Sequence, residues 1–252
     1  MTVTASPRRG LGPTLELTET LSRAGFSTVP HLSARLVYDE AHLTEILCRL
    51  DDAGVRDVFV VAGDGDTVVG DFADSIQLLG AIQRLRESGT GRCLSSVGIA
   101  GYPEGHPLVP DAELARALLA KQPLSDYAVT QMCFDAAAVN RWIGRSRERG
   151  VRLAVHAGVA GPVDGPRLLR VAGRIGVGAS TRFLRKHRGG ATLLRPGGYR
   201  PDRLLEELTA NGVPENHRIA GLHIYTLGDV AATERWRREL LERLDDGECP
   251  DG

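Results

Sequence analysis

The sequence predicts an α/β chain folded as a (β/α)8 TIM-type barrel, and three observations predict it. Short β-rich runs alternate with amphipathic helices at intervals of roughly 25–40 residues, the rhythm of parallel strands joined by crossover helices. The chain has 252 residues, 42 % of them hydrophobic, which suits one domain of the larger kind or two small ones. No GxGxxG follows the first strand, and that favours a closed barrel over an open doubly wound sheet.

The expected strands are Thr2–Ala5, Thr28–Leu32, Asp57–Val61, Ser95–Ala100, Tyr127–Gln131, Arg152–Val155 and Ile219–Tyr225. Helices fall between them. Leu43, Ile46, Leu47 and Leu50 keep helical spacing after a cap at Asp39 and stop before Gly54. Ile76, Leu79, Ile82 and Leu85 repeat that design up to Gly89, and Asp135 caps a helix that carries Val139, Trp142 and Ile143 to Gly150. A last helix over 231–244 buries Trp236, Leu240 and Leu244. The segment 165–212 interrupts the rhythm and reads as a helical insertion in a single barrel domain over 1–246, with 247–252 a frayed tail. Seven strands are visible where such a barrel has about eight, so the barrel is expected to be incomplete, its first strand lying upstream of Met1.

Composition removes several function classes. A net charge of −1 gives no field toward nucleic acid or an anionic membrane. No stretch is apolar for long enough to span a bilayer, and no signal peptide opens the chain. Cys48, Cys93, Cys133 and Cys249 lack metal-like spacing and read as free thiols of a reducing cytoplasm. Only Lys121 and Lys186 are lysines among 31 basic residues, so each is informative.

In a barrel of this class, chemistry sits at the C-terminal ends of the strands. There the sequence places His31, Gly63 with Asp64, the run Tyr102-Pro103-Glu104-Gly105-His106-Pro107, Thr130 with Gln131, His156, and His223 with Tyr225. Each has a structural alternative: a single histidine can be a hydrogen-bonding core residue, Asp64 a turn cap, Gln131 a partner for backbone groups. Their common rim argues for a shared cleft.

GYPEGHP at 101–107 resembles the methylenetetrahydrofolate reductase family, in its actinobacterial form. So do PHL at 30–32, GD at 63–64, TQMCFD at 130–135 and LHIYTL at 222–227, all in family order. The resemblance implies a (β/α) barrel that binds FAD and reduces 5,10-methylenetetrahydrofolate with NADH or NADPH, in one-carbon metabolism and methionine synthesis. It implies that His31, Gly63, Tyr102, Glu104, His106 and Lys121 line the cofactor site. It implies that Gln131, Tyr225 and Leu227 contact the folate, and that Asp64 lies between pterin and flavin as the catalytic carboxylate. The chain departs from the pattern at three places. Ala62 replaces the arginine usual before GD, Gly228 replaces the asparagine usual after YTL, and the first-strand glutamate that serves as the acid is missing. Direct hydride transfer from NADH without flavin is therefore a second route, and a catalytically weak folate- or flavin-binding relative is the alternative to an enzyme. The expected partner is a small-molecule folate, with homo-oligomerisation through the gap in the barrel.

Overall fold

A computed structural model describes every residue except 7, 64–67, 175–197, 211 and 246–252. Strands and helices alternate: β1 (Thr2–Val3), α1 (Gly12–Arg23), β2 (Val29–Ser33), α2 (Glu40–Asp52), β3 (Asp57–Val61), α3 (Ser75–Glu87), β4 (Ser96–Gly101), α4 (Asp111–Lys121), β5 (Tyr127–Thr130), α5 (Ala136–Glu148), β6 (Ala154–Ala160), α6 (Gly165–Arg174), α7 (Asp202–Thr209), β7 (Gly221–Tyr225) and α8 (Val230–Asp245). The strands follow one another in chain order in a seven-stranded sheet. The pairs β1–β2, β2–β3, β3–β4 and β6–β7 are parallel. This is an incomplete (β/α)8 barrel. Much of the expected insertion, and the tail, lie outside the described residues.

The chain divides into two compact units. The first comprises Met1–Gly101, Ala115–Ala128 and Val151–Ala154. Its helices form where the sequence puts apolar residues three and four apart behind a cap. Asp39 accepts the His42 N–H and opens α2, which buries Leu43, Ile46, Leu47 and Leu50. Asp74 accepts from Ile76 and Gln77 and opens α3, which buries Leu78, Leu79, Ile82 and Leu85. Full burial of each such side chain contributes about 1.5–3 kcal/mol. Two helices carry weaker patterns. The buried face of α1 is Thr14, Leu15 and Thr18, and that of α4 is Leu118.

At the N-terminal end of β3, Tyr127 donates its hydroxyl proton to Asp57, with its oxygen 2.9 and 3.0 Å from the two carboxylate oxygens. The ring crosses Gly98 of β4, where a Cβ would lie 2.4 Å from Tyr127 Cζ. Asp126 Oδ2 accepts the Val97 N–H at 2.7 Å. Burial pushes the Asp57 carboxyl up to about 6, and the Asp126 charge adds to that, against the Tyr127 hydrogen bond.

The second unit comprises Tyr102–Leu114, Val129–Gly150 and Val155 onward. Val155, Ala157 and Val159 of β6 pack with Val139 and Ile143 of α5, with Leu204, Leu205 and Leu208 of α7, and with Trp236 of α8. By strand alternation, His156, Gly158 and Ala160 point the other way. Asp202 ties α7 to α8, accepting from Arg243 at 2.7 Å and from Trp236 Nε1 at 3.3 Å.

The raised Asp57 carboxyl makes stability depend on pH with a defined sign. The folded state binds the proton more tightly than the unfolded chain. Its contribution is therefore complete below about pH 4 and is lost as pH rises through about 6. Thermal melting should show the wild-type melting temperature falling between pH 5 and pH 7 relative to Asp57→Asn, whose amide oxygen keeps the Tyr127 bond. Parallel profiles for the two proteins would contradict this.

Candidate functional site

In the second unit the site is built around Gly158. Its N–H donates to Thr130 Oγ1 at 2.8 Å, and its carbonyl accepts the Cys133 N–H at 2.9 Å. The Tyr225 ring lies across it, and the Tyr225 hydroxyl reaches the Thr130 carbonyl at 3.3 Å. A Cβ at Gly158 would lie 2.2 Å from that carbonyl oxygen and 2.9 Å from Tyr225 Cε2. Glycine is therefore required, and it sits within β6 rather than ending it. The strand runs on to Ala160, so His156 is its third residue and not its tip. The Cys133 thiol donates to the Gln131 carbonyl at 3.2 Å. Gln131 is thus held by its backbone between two anchored neighbours, with its side chain partly exposed.

Beyond β7 the chain turns at Thr226–Asp229, where the Asp229 N–H donates to the Thr226 carbonyl at 2.8 Å. Leu227 and Gly228 have φ of 51° and 83°, the two positive values of a type I′ turn. A left-handed leucine is uncommon. It is held by packing against the buried cluster of Met132, Phe134, Ala160 and Tyr199.

The loop after β4 is a locked turn. Gly105, at φ 77°, donates to the Tyr102 carbonyl at 3.1 Å. The Tyr102 and His106 rings meet edge-on at 5.3 Å, and His106 Nδ1 accepts the Leu108 N–H at 3.2 Å. Glu104 Oε2 is buried. Two electrostatic couplings join this loop to the Gly158 frame. Glu104 adds to the burial that pushes the Cys133 thiol up, and Tyr102 adds to the burial that pushes the Tyr225 phenol up. Both groups stay protonated.

Below Tyr225 on the same face of β7 lies His223, with ring centroids 4.8 Å apart. Burial, and then the repulsion of His156, pull His223 down to about 4. Burial alone lowers His156. The register sets His156 opposite Gly221 and His223 opposite Gly158. Cys133 and Tyr225 are thus held in their protonated forms, and His156 and His223 are pulled toward their neutral ones.

In the first unit, His31 is the third residue of β2 and packs on Phe59 with centroids 4.8 Å apart. Gly63, at φ 104°, follows β3, and a Cβ there would lie 2.2 Å from Ser33 Oγ. Lys121 is in the last turn of α4; burial lowers its ammonium and the Asp74 charge partly restores it. Asp64 lies outside the described residues. Among the described residues, no group of three or more His, Cys, Asp or Glu is placed to hold a metal ion, and no helix is long and apolar enough to cross a membrane.

Two measurements check this geometry. Gly158→Ala should destabilise the protein by about 1–3 kcal/mol in denaturant unfolding, while Gly12→Ala, with nothing within 4 Å of the new Cβ, should be neutral or stabilising by up to about 1 kcal/mol. Proton NMR should find the His223 imidazole neutral throughout pH 5.5–8 (roughly), with His156→Ala moving its titration upward. A His223 titration near the ordinary histidine value would refute the buried pair.

The fold resembles solved barrels of low sequence identity. A 2,3-dimethylmalate lyase of the PEP mutase/isocitrate lyase superfamily matches with a TM-score of 0.50 and 10 % identity, over 96 % of this chain and 69 % of that one. A putative phosphonomutase from Burkholderia cenocepacia J2315 gives 0.47 and 11 %, over 95 % and 77 %. The sequence itself matches the family model described as methylenetetrahydrofolate reductase over residues 8–176, a span that holds the β4 loop, Gln131 and Gly158. The chain belongs to the methylenetetrahydrofolate reductase family.

Proposed function

We propose that the chain reduces 5,10-methylenetetrahydrofolate to 5-methyltetrahydrofolate with electrons from NADH or NADPH, in one-carbon metabolism leading to methionine. The observation that supports this best is the Gly158 frame, which fixes the backbone on both sides of Gln131 within the family-matched span.

Gln131 carries one amide donor pair and one acceptor, the complement of a pterin edge that offers both. Its anchored backbone means that little freedom is lost on binding. Tyr225 and Leu227 form a wall beside it. The neutral imidazole of His223 leaves hydrogen bonds in this low-dielectric surrounding uncompeted by charge. Reduction places a hydride on the methylene carbon, and as the ring opens the released nitrogen takes up a proton. We assign the carboxylate of Asp64 to electrostatic support of that change.

His31, Gly63, Tyr102, Glu104, His106 and Lys121 are the residues proposed for FAD. Ala62 has no charge; the cation proposed for the FAD phosphates is Arg35, whose Cβ lies 3.7 Å from the Cβ position of Gly63 and whose Nε donates to the Ala73 carbonyl at 3.2 Å. A flavin held by these residues would supply two-electron transfer between nicotinamide and folate.

Anaerobic assay of NADH oxidation with methylenetetrahydrofolate tests the reading. Gln131→Ala and Asp64→Asn should each lower turnover about tenfold or more, about 1.4 kcal/mol per interaction lost. Wild-type turnover in either variant would remove that residue's role. Absorbance near about 450 nm in the purified protein marks bound flavin, whereas a colourless and active preparation marks direct transfer. Folate binding without turnover in the wild type would identify a binding relative instead.

A further inference from the structure

Arg167 stands over the turn that follows β7. A Cβ built at Gly228 would lie 2.5 Å from Arg167 Nη2. The residue is in the first turn of α6, where its N–H donates to Asp164 Oδ1 at 2.8 Å, and its side chain is half-buried. Among the described residues its guanidinium makes no ion pair. The two carboxylates nearest in sequence to this contact act as helix caps, Asp164 toward Arg167 N and Asp229 toward the Ala232 N–H at 3.0 Å.

A half-buried guanidinium with no ion pair among the described residues leaves donors to be met by water or a ligand. Its planar fork of donors fits an oxyanion. The position joins it to the site already described. Gly228 follows Leu227 directly and lies three residues beyond Tyr225, whose hydroxyl reaches Thr130 beside Gln131.

We infer that Arg167 binds the oxyanion end of the ligand whose ring Gln131 receives. The inference rests on the proposed function. Two sources share this chemistry: the glutamate carboxylate of the folate and the diphosphate of the nicotinamide dinucleotide.

Calorimetry on the full chain, with 5-methyltetrahydrofolate, its analogue lacking the glutamate, and NADH as separate probes, tests it. If the carboxylate is the ligand, Arg167→Gln should weaken 5-methyltetrahydrofolate binding about tenfold or more and leave the glutamate-free analogue within about twofold. A comparable loss confined to NADH assigns the site to the diphosphate. Gly228→Ala, which reaches the guanidinium from the other side, should give the same ligand-selective loss, and Arg167→Lys an intermediate one. Equal affinities of wild type and Arg167→Gln for all three probes overturn the inference, as does an equal loss for both folates, which would mark a structural arginine. Wild-type protein that binds none of the probes overturns the reductase reading, and this inference with it.

Discussion

Position 158 has no room for a side chain, and the geometry of the second unit follows from that. Because Gly158 is bare, Tyr225 can lay its ring across β6 and its hydroxyl can meet the Thr130 carbonyl. Because its N–H is turned to Thr130 Oγ1 and its carbonyl to Cys133, the residues on both sides of Gln131 are fixed before any ligand arrives. Substitution here is felt at three strands together. A larger residue would have to separate the β5 tip from β6 and lift the β7 tyrosine at the same time.

The polar groups around this frame are arranged by charge state as much as by position. Cys133 and Tyr225 retain their protons, and His156 and His223 decline theirs, all chiefly because burial disfavours the ion. Two ionic residues stand beside the frame, Glu104 in the loop after β4 and Arg167 in the first turn of α6, against the turn after β7. An uncharged floor with charged margins discriminates by the shape and hydrogen-bond pattern of a ring, and it leaves charge recognition to the ends of a ligand.

Much of this was legible in the residue order. The capped helices α2, α3 and α5 announce themselves by apolar spacing, α8 does so at Trp236 while its expected core residue Leu244 is exposed, and six strands fall within about two residues of their expected bounds. Where reading failed, the cause was local. Glycine at 158 looks like a strand end because its reason for being there, the Tyr225 ring, lies 67 residues away in sequence; β6 therefore reads too short, and His156 reads as a rim residue. The weakly apolar faces of α1 and α4, with threonine on one and a single buried leucine on the other, give little periodicity to detect. Among candidate site residues, motifs brought Gln131, Tyr225 and the YPEGHP loop to attention. Arg167 was invisible, since a single arginine in a proline- and glycine-rich stretch of an arginine-rich chain carries no pattern. Its meaning comes only from the bare backbone beneath it.

The left-handed pair Leu227-Gly228 links two parts of the chain that share no motif. Asparagine, like glycine, tolerates a positive φ, so the turn itself admits either residue at 228. A side chain there would push aside the flexible end of Arg167. A side chain at 228 would thus leave the backbone of this corner as it is and displace only a charge, so shape and charge can be varied separately here.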